Sequence, residues 1–276
     1  MLQFEWSMKR FIYIAVTLFF TLTSCGEYAK VLKTEDTSLM YEKAIEFYNR
    51  GDYTHCLNLL DKVKVYAYSV GSRRAQSMAY YRAYATYNKK LYEPAAELFE
   101  MFVSTYPDSP FYEECLYMVG LCYYKSSPRA LLDQNATNMA LRYFQSYLDR
   151  YPRSSRKDEI NGYMVELLDK VSYKAFLNAQ NYYNRGRYVS AIVSLDNCLT
   201  EFPGSRYRED IMAMLFDAKY QLAVNSIEEK KLERYYDAQE EFVYFQEEFP
   251  ESRYLTTMKK QMEDVEKFLK GYEFED

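Results

Sequence analysis

The chain has 276 residues, with 32 Tyr, 17 Phe and one Trp but only 8 Gly, 7 Pro and a single histidine, His55. A hydrophobic share of 49% excludes a disordered chain, and the lone histidine excludes a multi-histidine metal site. So few glycines, with no GxG among them, leave no dinucleotide or phosphate-cradling loop and too few turns for a β-sandwich, so helices joined by short turns are expected.

Residues 1–24 read as a targeting segment. Lys9 and Arg10 precede the apolar run Phe11 to Phe20, which is shorter than the roughly 20 residues that span a bilayer. Leu22-Thr23-Ser24-Cys25 resembles a bacterial lipobox, the alternative being an ordinary signal peptide with a chance cysteine; the lipobox makes Cys25 the expected lipidation site and membrane attachment through an N-terminal lipid the expected consequence. Residues 25–36 then form an N-terminal tether. Without Glu5, Lys9 and Arg10 the formal charge moves from −5 to −6, which gives no reason to expect nucleic acid. Cys56, Cys115, Cys122 and Cys198 contain no CxxC, and Cys115 and Cys122 lie too far apart on one helix to bridge, so all four read as buried small hydrophobes.

From residue 37 onward the chain repeats. Aromatic-proline pairs stand at Tyr106-Pro107, Tyr151-Pro152, Phe202-Pro203 and Phe249-Pro250. Twelve residues before each proline is Ala95, Ala140, Ala191 or Ala238. Eight before is Phe99, Phe144, Leu195 or Phe242, and five before is Phe102, Tyr147, Cys198 or Phe245. Two after is Ser109, Ser154, Ser205 or Ser252. Upstream, Ala44 precedes Tyr48-Asn49-Arg50-Gly51-Asp52-Tyr53, Ala83 precedes Tyr87-Asn88, and Ala179 precedes Tyr183-Asn184-Arg185-Gly186-Arg187-Tyr188. Gly120 holds the small-residue position of the third repeat. A small residue lets two helices approach, neighbouring large residues fill the groove, glycine caps the first helix and proline stops the second.

The fold class expected is therefore all-α: a tetratricopeptide-type α-solenoid of about five helical hairpins plus a C-terminal helix. Residues 37–151 hold repeats 1–3, and residues 152–276 hold repeats 4–5 and the capping helix. Repeats 3 and 5 carry eight extra residues, near Ser126–Asn135 and Asn225–Lys231. The proline-free stretch from Pro152 to Ala179 predicts one long helix, with Gly162 its weak point.

The lipobox, five repeats and motifs such as Arg50-Gly51-Asp52-Tyr53, Tyr106-Pro107-Asp108-Ser109 and Tyr182-Tyr183-Asn184-Arg185-Gly186 resemble the BamD family, lipoproteins of the outer-membrane β-barrel assembly machinery. That resemblance implies a lipid anchor on the periplasmic face of the outer membrane, a BamA-like assembly protein as partner, and unfolded β-barrel precursors as cargo. The residues themselves offer no recognisable acid/base pair and no nucleophile or metal set, so no catalysis, cofactor or metal is expected. Precursor contact falls to the N-terminal repeats and partner docking to the C-terminal half. The second helix of repeat 4, Val189 to Thr200, lacks Lys and Arg, so Arg185 and Arg187 are the nearest candidates for the partner contact. Another periplasmic adaptor lipoprotein and a glycan-capturing outer-membrane lipoprotein are the alternatives.

Tyrosines recur on the first helices at Tyr41 and Tyr48, Tyr80 and Tyr87, and Tyr117 and Tyr124. Such a stripe reads either as packing between helices or as a groove for an extended peptide. In repeats 4 and 5 the same positions are Phe176, Tyr183, Leu215 and Leu222. Arg150, Arg153, Arg156 and Lys157 form a basic cluster, read either as a solvated helix start or as a contact for an acidic partner. His55 beside Cys56 makes no nucleophile pair, because adjacent helical residues face different ways.

Overall fold

The computed structural model describes residues 26–65 and 72–273, and all of its regular elements are helices. Cys25 lies outside the described residues. The chain forms two compact units. The first runs to Ser126 and adds Arg142–Pro152, and the second combines Ser127–Leu141 with the chain from Arg153 onward.

In the first unit a short helix, α1 (residues 26–31), precedes α2 (Thr37–Asn49) and α3 (Tyr53–Val65). The second hairpin is α4 (Arg73–Asn88) with α5 (Tyr92–Thr105), followed by α6 (Tyr112–Ser126) and the end of α7 (Asn135–Arg150). Local signals set these boundaries. Asp36 caps α2 by accepting from the amides of Ser38 (2.9 Å) and Leu39 (3.1 Å), and Ser72 caps α4 through the Ala75 amide (3.1 Å). Gly51 ends α2 at φ 80°, the left-handed conformation that closes a helix C-terminus. Lys90 does the same for α4 at φ 61°, without glycine's freedom. The hydrogen bonds match: Asp52 N–H donates to Phe47 O (2.9 Å) and Leu91 N–H to Thr86 O (3.3 Å).

The second unit holds α8 (Lys157–Asn184), α9 (Tyr188–Glu201), α10 (Arg208–Val224), α11 (Glu228–Glu248) and α12 (Leu255–Glu273). Gly162 does not interrupt α8, whose 28 residues extend about 42 Å. Gly186 closes it at φ 68°, with Arg187 N–H donating to Tyr182 O (3.0 Å). The two extra lengths are spent differently. Residues 127–134 make a loop, closed by the Gln134 side chain donating to Arg129 O (2.9 Å) and accepting from Thr137 Oγ1 (2.7 Å). Lys170 and Lys174 tie that loop to α8 through Ser127 Oγ (2.9 Å) and Leu132 O (2.8 Å). The second extra length instead extends α11, leaving only residues 225–227 between helices. The helix α12 buries Met258, Met262, Val265 and Leu269 against α10 and α11.

The repeat register has a physical account. All four reference alanines are fully buried, and of the two large-residue positions only Phe242 keeps partial exposure. Within the first unit, Gly120 lets Phe144 seat so closely that an added Cβ would stand 2.6 Å from its ring. Each register serine makes the same turn: Ser109, Ser154, Ser205 and Ser252 accept, through Oγ, the amide two residues on, at 3.1–3.3 Å. The aromatic before each proline caps its helix. Tyr106, Tyr151 and Phe249 also pack against the ring four residues earlier, with centroids 5.1–5.4 Å apart.

The four internal cysteines are free and buried. Burial pushes the Cys56 thiol up to about 12 and Cys198 to about 11, which removes thiolate chemistry at neutral pH. His55 Nδ1 lies 2.6 Å from Asp52 Oδ2 and its ring faces Tyr28, while Cys56 is fully buried.

Candidate peptide groove and partner surface

Tyrosine is a wide apolar ring with one polar tip, so at a helix seam it fills the gap and seeks a hydrogen-bond partner for its hydroxyl. The first unit follows this rule. Tyr41 donates to Ser77 Oγ (2.8 Å) on the next hairpin, with the Arg74 guanidinium 5.1 Å from its ring centroid. Tyr48 accepts from Asn88 Nδ2 (3.3 Å) and packs edge-on against Tyr53 and Tyr81. Tyr80 sits among Tyr81, Tyr84 and Phe111, and Tyr84 donates to Glu114. Tyr87 faces Tyr92 at 5.5 Å. Burial raises the phenol pKa of Tyr48, Tyr80 and Tyr87, so all three hydroxyls stay protonated.

The six stripe tyrosines differ in access. Tyr41, Tyr48, Tyr80, Tyr87 and Tyr124 are half-buried. Tyr117 is only 6% exposed, held between Phe144 and Tyr147, which removes it from any peptide-facing surface.

In the second unit a cleft of about 490 Å³ opens between α8, α10 and α12. Its apolar walls include Phe176, Met214 and Met258. Two carboxylates organise its polar groups. Asp217 accepts from Tyr183 and from Gln261 Nε2 (2.6 Å). Asp210 accepts from Tyr254 (2.5 Å) and from Arg253 Nη2 (3.1 Å). Burial and then the neighbouring carboxylate push the Tyr183 and Tyr254 phenols up, so both remain donors. The stripe positions Phe176 and Tyr183 line this cleft, whereas Leu215 is core and Leu222 lines a smaller hollow elsewhere. Sequence reasoning missed Asp210 and Asp217, which lie off the repeat register. Their only signal was a carboxylate at each of two positions on the first helix of repeat 5.

Arg185 and Arg187 flank Gly186 in the turn between α8 and α9. Both are exposed and neither forms an ion pair among the described residues. Beside them on α9, Val189 and Val193 are each 56% exposed, one helical turn apart on one face. These valines were also missed, because helical valines ordinarily read as core. They border a hollow of about 150 Å³ with Leu222, Lys219, Arg234 and Asp237. Of the basic cluster, Arg150 stacks on Tyr112, 4.3 Å from the ring centroid, and Arg153 is exposed.

Among the described residues no helix is long and apolar enough to cross a membrane, and no group of His, Cys, Asp and Glu could hold a metal ion. The family of outer membrane lipoproteins, YfiO, matches residues 33–234. The chain is 25% identical to the outer membrane protein assembly factor BamD of Neisseria meningitidis serogroup B, over 75% of this chain and 83% of that one. It is 23% identical to BamD of Caulobacter vibrioides, over 76% and 70%. Among solved structures, the TPR2AB-domain–pHSP90 complex of yeast Sti1 aligns with 84% of this chain and 96% of its own at 14% identity and a TM-score of 0.37. With a match over most of its length, the chain belongs to the YfiO family of outer membrane lipoproteins.

Proposed function

We propose that the protein is an outer-membrane assembly factor that works as a scaffold rather than an enzyme. It is held by a lipid on Cys25 at the periplasmic face of the outer membrane. There it docks a BamA-like partner and helps deliver unfolded β-barrel precursors. The observation that carries the reading is the match to BamD assembly factors over three quarters of the chain.

The two surfaces divide the work. The half-buried tyrosines Tyr41, Tyr48, Tyr80, Tyr87 and Tyr124 offer rigid aromatic rings with hydroxyl tips, a chemistry suited to aromatic-rich extended strands. Arg185 and Arg187, with Val189 and Val193, combine unpaired cations with an apolar strip, the composition of a protein-docking patch with an acidic partner.

Purification from outer membranes in mild detergent tests the assignment. A BamA-like barrel protein co-purifies with the wild-type chain and is lost from Arg185→Glu/Arg187→Glu. A wild-type chain that brings down only cell-wall or glycan-binding components contradicts it. Tyr80→Ala/Tyr87→Ala weakens binding of a precursor-derived peptide while leaving the partner bound.

A further inference from the structure

The residues directly after the expected acylation site do not trail away from the fold. Glu27 bridges two cations, Lys43 Nζ of α2 at 2.8 Å and Arg50 Nη1 just past its end at 3.0 Å. The Tyr28 ring lies 4.0 Å from the His55 ring, centroid to centroid, and meets Phe47 edge-on at 6.0 Å. Val31 is buried in the same cluster as Met40, Phe47 and Leu59, and Leu32 packs against it. From α3, Lys62 Nζ donates to Leu32 O (3.1 Å). The link onward is also fixed: Asp36 N–H donates to Thr34 Oγ1 (3.1 Å), and the Asp36 carboxylate caps α2. The segment expected to be a tether is therefore bound to the first hairpin from Glu27 onward.

A second observation gives this arrangement a direction. Lys30 and Lys33 stand one turn apart and exposed, and Lys62 is brought beside them by its bond to Leu32. None of the three has a carboxylate partner among the described residues. Residue 25 is two residues from Glu27, a reach of about 7 Å at full extension. An acyl chain there brings this hairpin within a Debye length of the headgroups, where each lysine is attracted to anionic lipid.

We propose that α1 is an anchor clamp. It seats the first hairpin against an anionic phospholipid surface, with Lys30, Lys33 and Lys62 at the headgroups, and so sets the protein's orientation on the membrane. This rests on the lipoprotein reading above.

The single tryptophan, Trp6, lies in the leader, so Glu35→Trp gives the mature chain one indole. The acylated full-length protein, its acyl mass verified, is reconstituted in phosphatidylethanolamine–phosphatidylglycerol vesicles carrying brominated acyl chains. The clamp predicts quenching of the indole. Glu27→Ala/Tyr28→Ala in the same background lowers that quenching while helical content is kept. Unchanged quenching in this variant, or none in the parent, overturns the clamp. Lys30→Glu/Lys33→Glu/Lys62→Glu lowers quenching on the anionic vesicles and leaves it unchanged on phosphatidylcholine. Equal loss on both overturns the headgroup contact. A purified chain without acyl mass sinks the lipoprotein reading, and the clamp falls with it.

Discussion

The two units follow one repeat rule and finish it differently. In the first, stripe tyrosines close seams by meeting other rings, as Tyr48 meets Tyr81 and Tyr80 meets Phe111. In the second, the stripe tyrosine Tyr183 also reaches a carboxylate, Asp217, as Tyr254 reaches Asp210, and a cleft stays open around them. Ring-to-ring packing fills space and tolerates small shifts. A phenol bound to a carboxylate fixes one geometry and holds the walls of a cleft apart. The same spacing in sequence therefore yields a half-exposed aromatic edge in one unit and a polar-ribbed cleft in the other.

The largest effect should come from the buried register position five before the prolines. Phe102→Ala in the first unit removes a fully buried ring and costs about 3–5 kcal/mol, whereas Cys198→Ala at the same register in the second costs about 1 kcal/mol. Denaturant unfolding of the two variants reads that contrast directly. Gly120→Ala forces a Cβ against the Phe144 ring and costs about 1–3 kcal/mol, measured the same way.

Asp217→Asn sharpens the comparison in the second unit. One of the donors from Tyr183 and Gln261 then faces an amide N–H₂, for a loss of about 1–3 kcal/mol, and the Tyr183 phenol moves back toward its ordinary range in a spectrophotometric titration. Lys90→Gly relieves a left-handed lysine where Gly51 and Gly186 serve the other hairpins. It raises stability by about 0.5–1 kcal/mol in thermal unfolding. The smallest effect is on acidification. Lys43 and Arg50 hold Glu27 below its ordinary value of 4.5. Its stabilising contribution is therefore present above that value and is lost as pH falls below it. Hydrogen exchange at α1 is expected to rise in acid before that of α6.

Much of the architecture was legible because it is periodic. The alanines, the aromatic-proline pairs and the serines lie at fixed separations, and each separation corresponds to a local bond or close approach within one hairpin. The long α8 was legible from the absence of proline. The extension of α11 was not, since Asn225–Lys231 carries neither glycine nor proline to separate a loop from a helix start. The cleft was least legible. Asp210 and Asp217 meet partners 34–44 residues away, and no spacing within one repeat encodes that pairing. Tyr117 shows the converse limit: its register matches Tyr41 and Tyr80, yet Phe144 and Tyr147 enclose it.

The proposed division of labour can be tested with photo-crosslinkers placed at Tyr87 in the first unit and Val193 in the second, in cells growing normally. Val193 should capture a BamA-like barrel protein and Tyr87 newly exported β-barrel precursors. The same product from both positions, or a barrel partner captured only through Tyr87, would contradict the account.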